Sequence, residues 1–227
     1  MCNKAMVLVD FDNIDYSLRT DLSALENRLF KTITLRQQYD EIYFRLYGGW
    51  DYKSRMSYSA QTIAPWIYTF PHAIDRTLLV AEMIKALAFE NIELPYTFRR
   101  RSKNIDFDID ISQICVQNNS CDLFRMHQIL KNKKCSKPGC AKFFNQAFLI
   151  NEQKLVDTMI ATDLHYFSSL NNIDIFLVSS DDDFIPPIRY LCNKGNMVKI
   201  IHTHPAPYRY KKEYVTNITS YIEERNL

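Results

Sequence analysis

Two apolar runs in this chain stop abruptly at acids. Ala5-Met6-Val7-Leu8-Val9 ends in Asp10-Phe11-Asp12-Asn13, and Ile175-Phe176-Leu177-Val178 ends, after Ser179-Ser180, in Asp181-Asp182-Asp183. An unbroken run rich in β-branched and aromatic residues reads as a strand buried on both faces. After the first run, Asp21 caps a helix that carries Leu22, Leu25, Leu29 and Phe30 at helical spacing toward Gln38. Glu41–Tyr47 then alternates like a strand and halts at Gly48-Gly49. Strand, helix, strand predicts a βαβ unit, and with it an α/β fold whose sheet is parallel and whose crossovers are right-handed. Past the second run, Ser-Ser-Asp predicts a turn into a helix begun by Pro186-Pro187 and ended at Gly195, with a strand over Met197–His202.

Other stretches predict less sharply. Residues 51–70 read as helix or loop closed by a short strand over Trp66–Phe70, Leu78–Phe89 as a helix, and Tyr96–Arg101 as a strand. Glu152–Leu170 reads as a strongly periodic helix, and the tail as closing in a helix. Between them, Asp106, Asp108 and Asp110 alternate with Ile105, Phe107, Ile109 and Ile111, the pattern of an edge strand with one solvated face. Residues 105–145 are expected to form a small Cys-containing insertion in a single domain spanning 1–227, with 208–227 as a basic, aromatic tail.

At 227 residues and 47% apolar content the chain can bury a substantial core. A net charge of +2 does not announce a nucleic-acid binder, so that case rests on local clusters. Only four glycines stand against fourteen Tyr and fourteen Phe, and neither a Walker loop nor a dinucleotide fingerprint occurs. No signal-peptide layout and no apolar run of ~18 residues is present, so the expectation is a soluble, cytoplasmic protein with no membrane partner. Its six cysteines then read as thiols or metal ligands rather than a disulfide framework. Cys115, Cys121, Cys135 and Cys140 form a candidate structural Zn²⁺ site, the second pair spanning a Pro-Gly turn, with His127 as a substitute ligand.

Three adjacent carboxylates repel one another, and a divalent cation is the economical compensation. Ligands bind at the carboxyl ends of parallel strands, where both acidic runs would lie. In the 152–170 helix, Asp163 shares a stripe with Val156, Ile160 and Phe167 and so needs a partner for its charge, a metal being one candidate. Asp157 lies one step round, beside Lys154. Clustered Asp oxygens suit Mg²⁺ or Mn²⁺. Phosphodiester hydrolysis with such an ion and a water needs no side-chain nucleophile.

These residues resemble a known family. Val7-Leu8-Val9-Asp10-Phe11-Asp12-Asn13 looks like the opening hydrophobic-Asp-x-x-Asn motif of NYN domains, the PIN-like nuclease branch that includes LabA-like proteins. Lys154-Leu155-Val156-Asp157 with Asp163-Leu164 resembles the family's Lys-Gly-Val-Asp helix and trailing Asp. Leu177 to Pro186 resembles its Ser-Gly-Asp-Ser-Asp-Phe-x-Pro signature, and Gly195-Asn196-Met197-Val198 its Gly-x-x-Val turn. The likeness covers residues 5–20 and 152–202. It implies a PIN-like three-layer α/β sandwich and a metal-dependent endoribonuclease, with Asp10, Asn13, Asp157, Asp181 and Asp183 catalytic. Asp10, Asp157, Asp181 and Asp183 would ligate the metal, and Asp12 and Asp163 join them as candidates. Ser180 and Leu155 stand where the family has Gly, and Asp182 adds a charge, but no acid is missing.

Expected RNA contacts are Arg99, Arg100, Arg101 and Lys103, the tail residues Arg209 and Lys211 interleaved with tyrosines, and Lys154 and Ser179 beside the acids. The expected partner is single-stranded or structured RNA, and a homodimer is left open. Two alternatives remain from the sequence. Asp10-Phe11-Asp12 also matches the nucleophile and acid pair of haloacid-dehalogenase-like phosphatases, and a non-catalytic RNA-binding module would keep the basic clusters alone.

Overall fold

The structure, a computed structural model, describes residues 3–52, 55–85, 98–102, 122–135, 137–140, 143, 149–153, 155–170, 172–204 and 222–227. Its strands are β1 (Lys4–Asp10), β2 (Glu41–Tyr47), β3 (Asp51–Tyr52), β4 (Arg55–Met56), β5 (His72–Ile74), β6 (Thr77–Met83), β7 (Phe98–Ser102), β8 (Leu149–Gln153), β9 (Ile173–Val178), β10 (Val198–His202) and β11 (Ile222–Asn226). The helices are α1 (Tyr16–Thr20), α2 (Leu22–Thr34), α3 (Tyr58–Ile67), α4 (Asp122–Asn132), α5 (Val156–Ser168) and α6 (Ile185–Asn193). Two compact units result, Met1–Thr97 with Gln153–Leu227, and Phe98–Glu152.

The first unit holds a seven-stranded sheet in the order β11-β10-β9-β1-β2-β6-β5. Every neighbouring pair is parallel except β5 with β6. This is an α/β architecture with a mixed, mostly parallel sheet flanked by helices. The apolar runs are explained by burial on both faces. Val7 and Val9 of β1 pack with Leu25, Leu29 and Ile33 of α2 and Ile63 of α3, while Met6 and Leu8 pack with Ile160 and Leu164 of α5 and Leu191 of α6. Each such side chain contributes roughly 1.5–3 kcal/mol on burial, so every position of β1 from Ala5 to Val9 favours an apolar residue. Near the opposite end of the sheet, buried Lys199 pairs with Asp174 at 2.5 Å and donates to the Tyr39 hydroxyl at 3.1 Å.

Local chemistry sets the boundaries. The Asp21 carboxylate accepts from the Ala24 N–H and starts α2, as its position predicts. Gly48, the residue after β2, has to be glycine because a Cβ there would come within 2.8 Å of the Trp50 ring. Gly195, at φ +82°, closes α6: its N–H reaches Cys192 O and the Asn196 N–H reaches Leu191 O, a Schellman pair.

Four expectations are corrected. Leu78–Phe89 is not a helix over its described part; Thr77–Met83 is β6, with Thr77, Leu79 and Ala81 buried in alternation. Its helix-forming residues yield to pairing with β2 and β5. Trp66–Phe70 is not a strand, since Trp66 and Ile67 complete α3 and the Trp66 indole donates to Glu26. The helix expected from Glu152 starts only at Val156, because Leu149–Gln153 is strand and Leu155 turns left-handed at φ +75°. Over 222–226 the tail is a strand, held on β10 and by the buried Arg225, whose guanidinium donates to Thr32 and Ile33 carbonyls.

The second unit contains α4, β7 paired with β8, and a turn over 137–140. The expected insertion, 105–145, falls within this unit, and Asp106, Asp108 and Asp110 lie outside the described residues. No helix among the described residues is long and apolar enough to cross a membrane.

Candidate metal centre

β1 is central in its sheet, and the chain leaves it toward β2 on one side and β9 on the other. The strand order reverses at this point, which opens a crevice at the carboxyl ends. Asp10 is the last residue of β1 and Asp181 lies three past the end of β9, while Asp157 sits in the first turn of α5. Each offers a carboxylate oxygen, and these atoms all lie within 4.8 Å of one another. Opposite ligands on an ion bound at 2.0–2.1 Å are separated by about 4.2 Å. A small rotation of the exposed Asp157 and Asp181 side chains therefore reaches Mg²⁺ or Mn²⁺ geometry, so the donor set fits a hard cation.

The three acids line a cavity of about 230 Å³ with Asp12, Asn13 and Val156. A water occupies about 30 Å³ of liquid, so the space takes an ion with its waters and one phosphate group. Asp10 is 5% exposed, and burial pushes its carboxyl up to about 7. The Ser179 hydroxyl, which donates to Asp10 Oδ2 at 2.9 Å, opposes that rise, whereas the negative Asp157, Asp12 and Asp181 add to it. Without a cation the site keeps Asp10 partly protonated near neutrality. With one, all three carboxylates are favoured as anions.

A polar lattice ties the surrounding loops together. Asn13 Oδ1 accepts from the Ser180 N–H at 2.9 Å and from the Thr203 hydroxyl at 2.6 Å, joining the ends of β1, β9 and β10. Ser180 Oγ accepts from the backbone N–H groups of Thr203 and His204. Thr203 Oγ1 also lies 3.0 Å from His204 Nδ1. The same oxygen lies 3.2 Å from Ser180 Oγ, so this one hydroxyl sits among Asn13, Ser180 and His204. Sequence reasoning missed Thr203 and His204. Their position just past a parallel strand was the available signal.

The remaining expected ligands do other work. Asp12 lines the cavity, yet its Oδ2 accepts from the Gly49 N–H at 2.8 Å and its Oδ1 faces Arg19 at 3.7 Å. Asp163 has found its partner within the protein rather than in a metal: Arg45 at 2.9 Å and the Tyr47 hydroxyl at 2.5 Å. Burial and the Asp163 carboxylate both raise the Tyr47 phenol above its ordinary value. Asp183 is exposed and stands outside the group of three; its N–H donates to Asp181 Oδ1, an Asx turn that helps aim Asp181.

Ser179, expected at the RNA surface, is buried and spends its hydroxyl on Asp10 and on the Asp181 N–H. Arg99, Arg100 and Arg101 lie on β7 in the second unit. Lys103, Lys154, Arg209 and Lys211 lie outside the described residues, as do Cys115 and Cys121. Cys135 and Cys140 are half-buried thiols beside a turn closed by the Cys140 N–H to the Lys137 carbonyl, with Gly139 at φ +78°.

Compared with known proteins, this chain matches no family model, no curated protein and no solved structure.

Proposed function

We propose that the chain is a metal-dependent ribonuclease of the NYN type, with a PIN-like three-layer sandwich, that hydrolyses RNA phosphodiester bonds. The observation that carries this reading is the meeting of Asp10, Asp157 and Asp181 at the sheet's switch point. They come from three separate elements and surround a cavity of phosphate size. In this reading the three carboxylates hold one Mg²⁺ or Mn²⁺. When bound, that ion supplies positive charge for the phosphate oxygens and an acidified water as the attacking group. Ser179 orients Asp10 through the hydroxyl it donates, and the Asp183 N–H does the same for Asp181. Asn13 keeps the loops that bear them in register, a positioning role rather than ligation.

The family's Lys-Gly-Val-Asp position adds support. Leu155 occupies the glycine place and adopts the left-handed backbone that glycine favours, so the turn that delivers Asp157 is kept at some cost in strain. Ser180, at the other glycine place, uses its hydroxyl to bind the loop after β10. A structural Zn²⁺ on the four cysteines, a cytoplasmic setting and a homodimer belong to the same reading. A phosphatase that uses Asp10 as nucleophile is disfavoured, because a 5% exposed carboxyl whose Oδ2 already accepts from the Ser179 hydroxyl has little room to attack.

The test is incubation of labelled single-stranded RNA with the protein and Mn²⁺, beside Asp181→Asn. Cleavage by the parent and at least a hundred-fold loss in the variant is expected, removal of an ion ligand being comparable in scale to other lost electrostatic contacts to the transition state. RNA left intact by the parent overturns the reading. Turnover of an aryl phosphate instead would favour the phosphatase.

A further inference from the structure

One solvent-facing ring stands two contacts away from an acid that lines the cavity. Tyr16 opens α1, two residues beyond the core residue Ile14, and is 73% exposed. A ring left that open forgoes most of the burial energy an aromatic usually contributes. Within α1 it is backed by Arg19, whose guanidinium carbon lies 5.9 Å from the ring centre, at the outer limit of a cation–π contact. Arg19 in turn reaches Asp12 at 3.7 Å, longer than a hydrogen bond, and Asp12 lines the cavity. Its Nε is buried with no hydrogen-bond partner among the described residues. The fold thus runs ring, cation and cavity-lining acid in sequence, and leaves the cation's Nε proton without an acceptor among the described residues.

We infer that Tyr16 and Arg19 form a stacking and phosphate-binding platform for an unpaired nucleotide next to the scissile phosphate. This rests on the nuclease reading and adds substrate class to it. A polyanion that approaches three carboxylates needs a cation at the rim, and Arg19 is one within reach of Asp12. Arg serves this better than Lys because its planar fork can face a carboxylate on one edge and present further N–H groups to a phosphate. An open aromatic face stacks only on a base that has left its duplex, since paired bases are covered on both sides. The platform therefore selects single strands, and it does so without reading base identity. Asp12 acquires a purpose as well: its bond to the Gly49 N–H anchors it to the loop after β2, and its charge holds Arg19 against the ring.

The probe is a short single-stranded RNA carrying one 2-aminopurine, with its duplex as control, in Ca²⁺ buffer for binding and in Mn²⁺ for cleavage. Stacking on Tyr16 quenches the fluorophore. Loss of one stacked base is worth ~1–3 kcal/mol, about a 5- to 150-fold change. Tyr16→Ala is expected to weaken single-strand binding at least 5-fold, raise KM more than it lowers kcat, and abolish the quench. Tyr16→Phe restores all three, and duplex binding stays as in the parent. Arg19→Ala is expected to weaken binding and lower the salt slope by about one. A quench that persists in Tyr16→Ala, an equal loss for duplex, or failure of the parent to bind the single strand overturns the platform. Quenching by the parent with no cleavage in Mn²⁺ removes hydrolysis and leaves the platform standing. Cleavage with no Tyr16-dependent quench does the reverse.

Discussion

Asp10 concentrates the energetics of the site at the scale of a single residue. Its carboxyl is raised from 3.8 in the unfolded chain to about 7 in the fold, so the native state holds the extra proton between those values. Stability that this proton confers is present below pH 3.8 and declines as pH rises to about 7. A shift of about three units corresponds to on the order of 4 kcal/mol at most. Without divalent ions, Asp10→Asn should therefore raise Tm at pH 8 while leaving it nearly unchanged at pH 4. With Mg²⁺ present the order reverses, since the variant loses a ligand. Thermal scans at both pH values in EDTA and in Mg²⁺ check this, and a lower Tm for the variant in EDTA at pH 8 would contradict the burial argument. Asp163 teaches the complementary lesson. Its position on a core-facing stripe correctly announced a charge in need of a partner, but Arg45 and Tyr47 lie more than a hundred residues away and no local pattern names them.

Among elements, α5 matters most because it presents Asp157. Two features set how it lies: the left-handed Leu155 at its start, and the Arg45–Asp163–Tyr47 cluster one face round. A left-handed non-glycine residue costs roughly 1–2 kcal/mol, which glycine avoids at about 0.5–1 kcal/mol of added unfolded-state entropy. Leu155→Gly should thus hold Tm within about 2 °C or raise it, while Leu155→Val lowers it by several degrees because a β-branched residue resists that backbone. Calorimetry decides between them, and equal losses would show that the contacts of Leu155 outweigh its strain. Tyr47→Phe removes one of the two donors to Asp163, and a buried hydrogen bond to a charged group is worth about 1.5–3 kcal/mol. Denaturant unfolding should register that loss, and Mg²⁺ affinity should fall with it if the cluster aims α5. Over β6, helix formers such as Leu79, Ala81 and Glu82 misdirect the pattern, because neighbouring strands β2 and β5 supply the hydrogen bonds that decide the outcome.

For the whole molecule, three acids gathered from distant elements leave a repulsion that the fold tolerates only next to a cation or a proton. A ligand that binds only the native state stabilises by about 2.7 kcal/mol at a hundred times its Kd. Saturating Mg²⁺ or Mn²⁺ should consequently raise Tm by several degrees in the parent and by much less in Asp181→Asn. A parent Tm indifferent to both ions would remove the metal centre. β1, β2 and β9, the capped start of α2 and the glycine stop of α6 follow from residues within a few positions of one another. Burial on both faces demands an unbroken apolar run, and a cap or a left-handed turn demands a particular side chain or its absence. Those properties are local, so the sequence by itself determined the parallel α/β character and the acids at its strand ends. Which acids meet is a different kind of fact. It depends on the order of strands in the sheet and on the rotation of α5, set by contacts between residues that periodicity never compares. The family resemblance had already grouped Asp10, Asp157 and Asp181, but periodicity had not, and only the tertiary structure turned Asp163 toward Arg45 and drew Asn13, Ser180 and Thr203 into one lattice.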